Sequence, residues 1–216
     1  MPASQANLGY GSQLLRMAGT LCTSGVSAIV GSGVAQAVTP SSMASIVVGT
    51  VLMIDTAAAL GIGTHLEEPT EVTAASTTFT AIIQNNHVAG VNIALLVPVI
   101  EIIKIGGPTM KRDMKEVSNM GSPLEYKEFV AGLADGGSVT FEGNYIPKEA
   151  TLSQQTVRTD FENGTLSTWA INLAGPVGNG IWAFTAFVED LSPAYPVDDR
   201  VTFTGTLKIS GKPILF

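Results

Sequence analysis

The sequence predicts a mainly β fold: an antiparallel β-sandwich or partly closed barrel with one flanking α-helix, long loops and an N-terminal extension. Three observations predict it. Val201, Phe203, Leu207 and Ile209 alternate with Arg200, Thr202, Thr204, Thr206 and Lys208, the period of a half-buried strand. Val139, Phe141, Gly143 and Tyr145 alternate in the same way with Ser138, Thr140, Glu142 and Asn144. Glycine and proline turn signals separate these and the other apolar runs from residue 61 onward. Many short strands with turn punctuation point to a sandwich or barrel.

Taken in order, residues 1–60 read as an extension that packs between subunits. Within it Ser12–Met17 suits the start of a short helix, and Ala44–Met53 suits a strand or a helix equally. Residues 61–216 read as the domain proper. Gly61-Ile62-Gly63-Thr64 is a turn, and Thr70–Gln84 is β-prone. Residues 69–99 look like a longer apolar insertion or hairpin, in which Pro98 argues against a central strand. Ile100–Ile105 is a strand candidate, Gly106-Gly107-Pro108 a turn, and Lys111–Val117 an exposed strand or loop.

Residues 122–137 predict the flanking helix. Ser122 is a good N-cap with Glu125 as its capping-box partner, and Pro123 takes the first helical position. Tyr126, Phe129, Val130 and Leu133 follow at i, i+3, i+4, i+7. Asp135 ends the run, and Gly136 or Gly137 closes the helix in the left-handed conformation. Leu152–Asn163 predicts a second, shorter helix with Val157 and Phe161 on one side and Gly164 as its stop. Trp169, Ile171 and Leu173 then alternate as a strand, and Gly175–Gly180 is a hairpin loop. Ile181–Val188 is apolar on both faces, so it reads as a covered central strand, and Leu191–Asp199 is a Pro-rich loop.

Composition narrows the function. A net charge of −7 and a pI near 4.7 argue against electrostatic attraction to nucleic acid. Only 13% of residues are charged, so burial against partner subunits is expected. Residues 1–100 hold one basic residue, Arg16, and four acidic ones, Asp55, Glu67, Glu68 and Glu71. The single cysteine, Cys22, allows no intrachain disulfide and has no nucleophile motif around it. Ala35-Gln36-Ala37 mimics a signal-peptidase site, but Arg16 is its only basic lead, so no targeting segment is expected. Asp55 interrupts the apolar stretch Met43–Gly63, which argues against membrane insertion.

Chemistry is sparse. His65 and His87 lie 22 positions apart with no ligand set around both, so they read as surface or loop residues and no metal is expected. Gly31-Ser32-Gly33 and Gly61-Ile62-Gly63 lack a third glycine, so no dinucleotide cofactor is expected. Glu67-Glu68 and Glu189-Asp190 are neighbours that a strand points to opposite faces, and Asp198-Asp199 is a turn. No catalytic constellation emerges, and an enzyme is not expected.

The segment LEYKEFVAGLADGGSVTFEGNYIP resembles part of the siphophage tail tube (major tail) protein family, where an aromatic-acidic helix leads to GLxDGG and an alternating strand with FEGN. IGGPTMKRDMKEVSNMGSP is similar to the family's Gly-Pro lead, DFENGTLSTWAI to its short helix and following strand, and WAFTAFVEDLSPAYPVDDRVTFTGTLKISGKPILF to its C-terminal strands. The resemblance covers residues 101–216, with a fainter match at 61–68. Residues 1–60 have no counterpart, and 69–99 are longer and more apolar.

The resemblance implies a virion protein assembled in the host cytoplasm as stacked homohexameric rings. Their acidic lumen would conduct double-stranded DNA during genome ejection without binding it specifically. Its partners would be further copies of itself, the tape-measure protein and the tail terminator. Thr202, Thr204, Thr206 and Lys208 are the candidate lumen or inter-subunit face. The runner-up reading is another tube or virion-surface structure: a secretion-system inner tube, a capsid decoration protein or an adhesin module. A small-ligand barrel or enzyme comes third, for want of a site.

Overall fold

A computed structural model describes residues 11–25, 28–55, 68–119, 126–146, 153–173 and 180–216. Its strands are β1 (Gln13–Thr23), β2 (Ala35–Val38), β3 (Val51–Ile54), β4 (Glu68–Glu71), β5 (Ala74–Ala75), β6 (Phe79–Ile82), β7 (Asn92–Pro98) and β8 (Ile102–Gly106). They continue with β9 (Lys111–Glu116), β10 (Phe129–Asp135), β11 (Ser138–Asn144), β12 (Ser167–Leu173), β13 (Gly180–Ala194), β14 (Thr202–Ile209) and β15 (Ile214–Leu215). The helix α1 spans Ser153–Asn163. Among the described residues the fold is mainly β and antiparallel with one helix, in keeping with the predicted class.

The large sheet runs β4-β3-β7-β1-β12-β13-β14-β11-β8, with β15 beside β13. A small sheet, β2-β6-β5, and a two-stranded hairpin, β9-β10, lie off it. The large sheet does not close on itself among the described residues.

β1 is the middle of this sheet. It pairs with β12 from Gln13↔Asn172 to Arg16↔Trp169, and with β7 from Leu15↔Pro98 to Thr23↔Asn92. Ser12–Met17 therefore opens a strand, not a helix, and residues 13–23 and 51–54 are built into the sheet with the C-terminal strands. Pro98 sits at the last position of a central strand. A proline is tolerable there because the ladder is ending and no further N–H is required of it.

Three cores explain the burial. The first lies under β11, β14, β13 and β12, where Phe141, Phe203, Trp169 and Leu207 meet Val157 of α1. The second, including Leu52, Ile54, Phe79, Ile83 and Ile93, lies between the small sheet and β3 and β7. The third, including Leu15, Val51, Met53, Ala94 and Leu96, covers the opposite face of β1, β3 and β7. Adjacent residues of one strand thus enter different cores: Leu14 the first and Leu15 the third, Leu52 the second and Met53 the third. Such strands need apolar residues at successive positions.

Phe141 and Phe203 interlock with glycines on adjacent strands. Phe141 is directly opposite Gly205, and Gly143 is opposite Phe203. Each ring lies over the other strand's glycine, and the rings meet edge to face at 5.8 Å. A Cβ on Gly205 would run into the Phe141 ring.

The helix is stitched in by two polar anchors. Gln154 donates to the carbonyls of Asn144 (2.9 Å) and Ile100 (3.2 Å) and accepts from the Ile146 amide (2.9 Å). Asp160, buried, receives a bidentate fork from Arg16 of β1 at 2.5 and 2.7 Å, and the Ser167 hydroxyl of β12 at 3.1 Å. The only cation of the first hundred residues is therefore spent on tying β1, β12 and α1 together.

Arg16→Ala leaves the Asp160 carboxylate buried without its partner. The expected loss is about 3 kcal/mol of unfolding free energy, read by chemical denaturation. Replacing both, as Arg16→Met with Asp160→Leu, is expected to recover most of it, because an apolar pair leaves no orphaned charge.

Candidate assembly surface

The sequence places the flanking helix at 122–135, and the structure corrects this. Ser122, Pro123 and Glu125 lie outside the described residues, but Phe129–Asp135 is the strand β10. It pairs with β9 from Phe129↔Glu116 to Asp135↔Lys111, with a bulge between Ala131 and Ala134. The helical spacing of Tyr126, Phe129, Val130 and Leu133 marks no packed face. All four are exposed, Leu133 to 89%. The helix of the fold is α1, the segment read as the shorter one. Its Val157 is buried as expected, while Phe161 is largely exposed.

Asp135, Gly136 and Gly137 turn β10 into β11. The Asp135 carboxylate accepts from the Gly137 amide at 2.8 Å, a local turn that produces the same sequence signal as a helix end. Gly137 has φ +78°, and a Cβ there would run into the Thr109 carbonyl. Lys208 of β14 grips Asp135 at 2.7 and 2.9 Å. Lys208 holds Asp135 below its ordinary carboxylate value, with the Gly137 amide adding to the effect. The base of the hairpin is thereby fixed to the sheet.

Beyond that base every residue of β9 is exposed, and so is every residue of β10 except Gly132, which is half-buried. Cross-strand partners share a face, so Arg112, Met114 and Glu116 stand with Ala134, Ala131 and Phe129. Large apolar groups, Met110, Met114, Val117, Phe129, Val130 and Leu133, are all about half exposed or more. A two-stranded hairpin with no covered face is at best marginally stable in water. The sequence reads Lys111–Val117 correctly as exposed, but its methionines give no signal of an arm.

The predicted polar face is formed. Thr202, Thr204, Thr206 and Lys208 stand opposite Asn144, Glu142, Thr140 and Ser138 of β11, while Phe203, Gly205, Leu207 and Ile209 are buried. Lys104 of β8 lies opposite Glu142, and Ser192 of β13 opposite Thr204. The face is rich in hydroxyls, and its cations Lys104 and Lys208 each stand beside a carboxylate. Leu191–Ala194, predicted as loop, instead continues β13 along β14, with Pro193 opposite Phe203.

Two polar groups depart from their sequence reading. His87 is buried, not on the surface: its Nδ1 lies 3.3 Å from Asp55 Oδ2 and its Nε2 3.6 Å from Glu68 Oε2. Glu68 is buried as well and accepts from the Gln84 and Asn85 amides at 2.5 and 2.8 Å and from the Asn85 side chain at 3.1 Å. Burial pushes the Glu68 carboxyl up, but His87 and these donors outweigh it and hold it below its ordinary value. Burial likewise pushes His87 down, and the two carboxylates outweigh it and raise the imidazole. The cluster clasps the end of β3, the start of β4 and the 84–87 stretch. Cys22 lies in the second core, where burial raises its thiol, an environment that suppresses nucleophilicity. Among the described residues no group of three or more metal-ligating side chains is placed to hold a metal ion, and no helix is long and apolar enough to cross a membrane.

No protein-family model matches the chain, and no curated protein matches it in sequence. Among solved structures it is similar to a chain from the tail of an empty GTA particle refined with helical C6 symmetry. The identity is 12%, the TM-score 0.46, and the match covers 56% of this chain and 86% of that one. It is also similar to a chain of the six-fold symmetrised anti-feeding prophage (AFP) baseplate, at 8% identity and TM-score 0.43, over 80% and 95% of the two chains. At these scores neither likeness bears on what the protein does.

The clasp gives a pH dependence with a definite sign. His87, raised when folded, contributes stability that is full below its ordinary 6.5 and lost as pH rises through the folded value. Glu68, lowered when folded, contributes stability that is full above its ordinary 4.5 and lost as pH falls through the folded value. The advantage of the native chain over His87→Gln is therefore expected to peak between pH 4.5 and 6.5 and to shrink on either side, as read by denaturation at several pH values.

Proposed function

We propose that this chain is a structural subunit of a virion tail tube, assembled from copies of itself as stacked hexameric rings that conduct DNA during ejection. The observation that carries the reading is the exposed apolar hairpin β9-β10, locked at its base to a sheet whose other feature is a polar four-strand face. A rigidly aimed arm with Phe129, Val130 and Leu133 in water is a surface made for another protein. The ordered sequence resemblance over residues 101–216 supports a tail tube as that assembly.

In this reading the face of Thr202, Thr204, Thr206 and Lys208 lines the bore. Hydroxyls and locally matched charges offer a phosphate backbone no basic track, so DNA passes without adhering. Asp190 of β13, opposite Thr206, joins Glu142 and Asp135 against the cations Lys104 and Lys208, so this face of the lumen leans acidic. Further partners would be the tape-measure protein and the tail terminator. No cofactor or catalytic step is needed, since the work is done by shape and self-association.

Electron microscopy of the purified chain tests the reading: six-membered rings or tubes with a bore wide enough for duplex DNA are expected. A chain that stays monomeric at high concentration would sink it. Phe129→Ser with Leu133→Asp is expected to abolish assembly while changing monomer stability by no more than about 0.5 kcal/mol, as surface substitutions do. Thr204→Lys with Thr206→Lys is expected to leave assembly intact and slow genome ejection from particles carrying it. An unchanged ejection rate would count against this face as the bore.

A further inference from the structure

The hairpin base and the loop before β14 lie at opposite ends of the same strand. At the Ile209 end, a groove of about 520 Å³ is lined by Met110, Ile209 and Pro213 together with Lys111, Arg112 and Lys212. Its one carboxylate, Asp135, is already taken by Lys208. Lys212 makes no ion pair among the described residues, and Lys111 stands across the hairpin from Asp135 without a direct one. The groove is thus apolar with a basic rim.

At the Thr202 end, residues 195–200 form a wholly exposed loop that holds two carboxylates to one cation, Arg200. Val197 is 97% exposed and Tyr195 67%, and Asp198 and Asp199 follow them directly. Tyr195 rests edge to face on Tyr145 at 6.3 Å, which steadies the loop's root. An almost fully exposed valine beside two carboxylates matches an apolar groove rimmed by cations. β14 separates the two by about 23 Å at 3.3 Å per residue, so the loop of one molecule does not reach its own groove.

We propose that the loop Tyr195–Asp199 of one copy docks in the groove between the hairpin base and Lys212-Pro213 of a second copy. Val197 fills the apolar floor, and Asp198 and Asp199 meet Lys111, Arg112 and Lys212. The two surfaces differ and lie at opposite ends of β14, so the contact is heterologous, and between stacked rings it repeats along the tube axis. It sets the direction of growth and gives each assembly two unlike ends. The inference rests on the tail-tube reading for what is stacked, rings as opposed to single copies.

Charge reversal of surface residues tests it. Asp198→Lys with Asp199→Lys, or Lys111→Glu with Lys212→Glu, is expected to lower the yield of stacked assemblies at least about tenfold, because like charges then face each other. Combining the two reversals is expected to restore stacking. Stacking unaffected by either reversal, or unrestored by the combination, overturns the proposal. A second measurement does not depend on those variants folding. Val197→Cys with Pro213→Cys in the full chain is expected to give a multi-rung covalent ladder on mild oxidation, and products no larger than dimers overturn the contact. Six-membered rings with no ladder also overturn it and leave the ring reading standing. A ladder with no rings supports the contact and overturns the ring reading.

Discussion

β1 hydrogen-bonds along both edges and buries side chains on both faces, and the rest of the molecule is arranged around that. Gln13–Arg16 pair with β12, a strand more than 150 residues away in the chain, and β7 lies along the other edge from Leu15 to Thr23. Register shifts at Met17–Thr20 and Thr20–Cys22 let one strand serve two differently oriented neighbourhoods. From β7 the sheet continues to β3, β4 and the core under the small sheet. From β12 it continues to the strands that carry the polar face. Arg16 lies where these directions meet, and its fork to Asp160 adds the helix to the same joint. Such non-local pairing makes folding slow relative to a helical protein of similar size, since loop closure must precede the contacts that reward it.

The same constraint decides what the sequence can reveal. β11 and β14 have one covered face and one polar face, so their alternation is readable and the predicted orientation of every residue from Thr202 to Ile209 holds. β1, β3 and β7 enter cores on both sides and carry small or apolar residues at successive positions, a pattern shared by helices and linkers. An extension was the natural reading of such a stretch. The hairpin failed for a different reason. Four apolar residues at helical spacing are a signature of packing only if something packs on them, and all four are exposed here. The turn at Asp135-Gly136-Gly137 uses the side chain and the positive φ that a helix end would use. His87 was hidden because its carboxylate partners, Asp55 and Glu68, are brought to it by strand pairing alone.

The poverty of charge in the first hundred residues acquires an intramolecular cause. Arg16 is committed to Asp160, and Glu68, Asp55 and His87 to one another. Part of the remaining surface of these strands faces the second and third cores, while Val30, Val34, Val47, Val48 and Val88 are exposed. Low charge here accompanies a strand system largely buried within one chain. In the C-terminal half the surface with unmet chemistry is the bare hairpin, the basic groove at its base and the acidic, apolar loop beyond Ala194.

This division separates stability from assembly. The cores close without the hairpin, whose strands bury almost nothing, so changes at Phe129 or Leu133 leave the monomer its packing. The hairpin is nonetheless aimed. Gly137 accepts a backbone geometry that other residues resist, Thr109 closes over it, and Lys208 ties Asp135 to β14. A flexible arm would lose conformational entropy on docking, whereas an arm fixed at its root has lost part of it already during folding. Lys208 therefore has two duties that pull together. It neutralises a carboxylate on the polar face, and it sets the direction in which the apolar arm leaves the sheet.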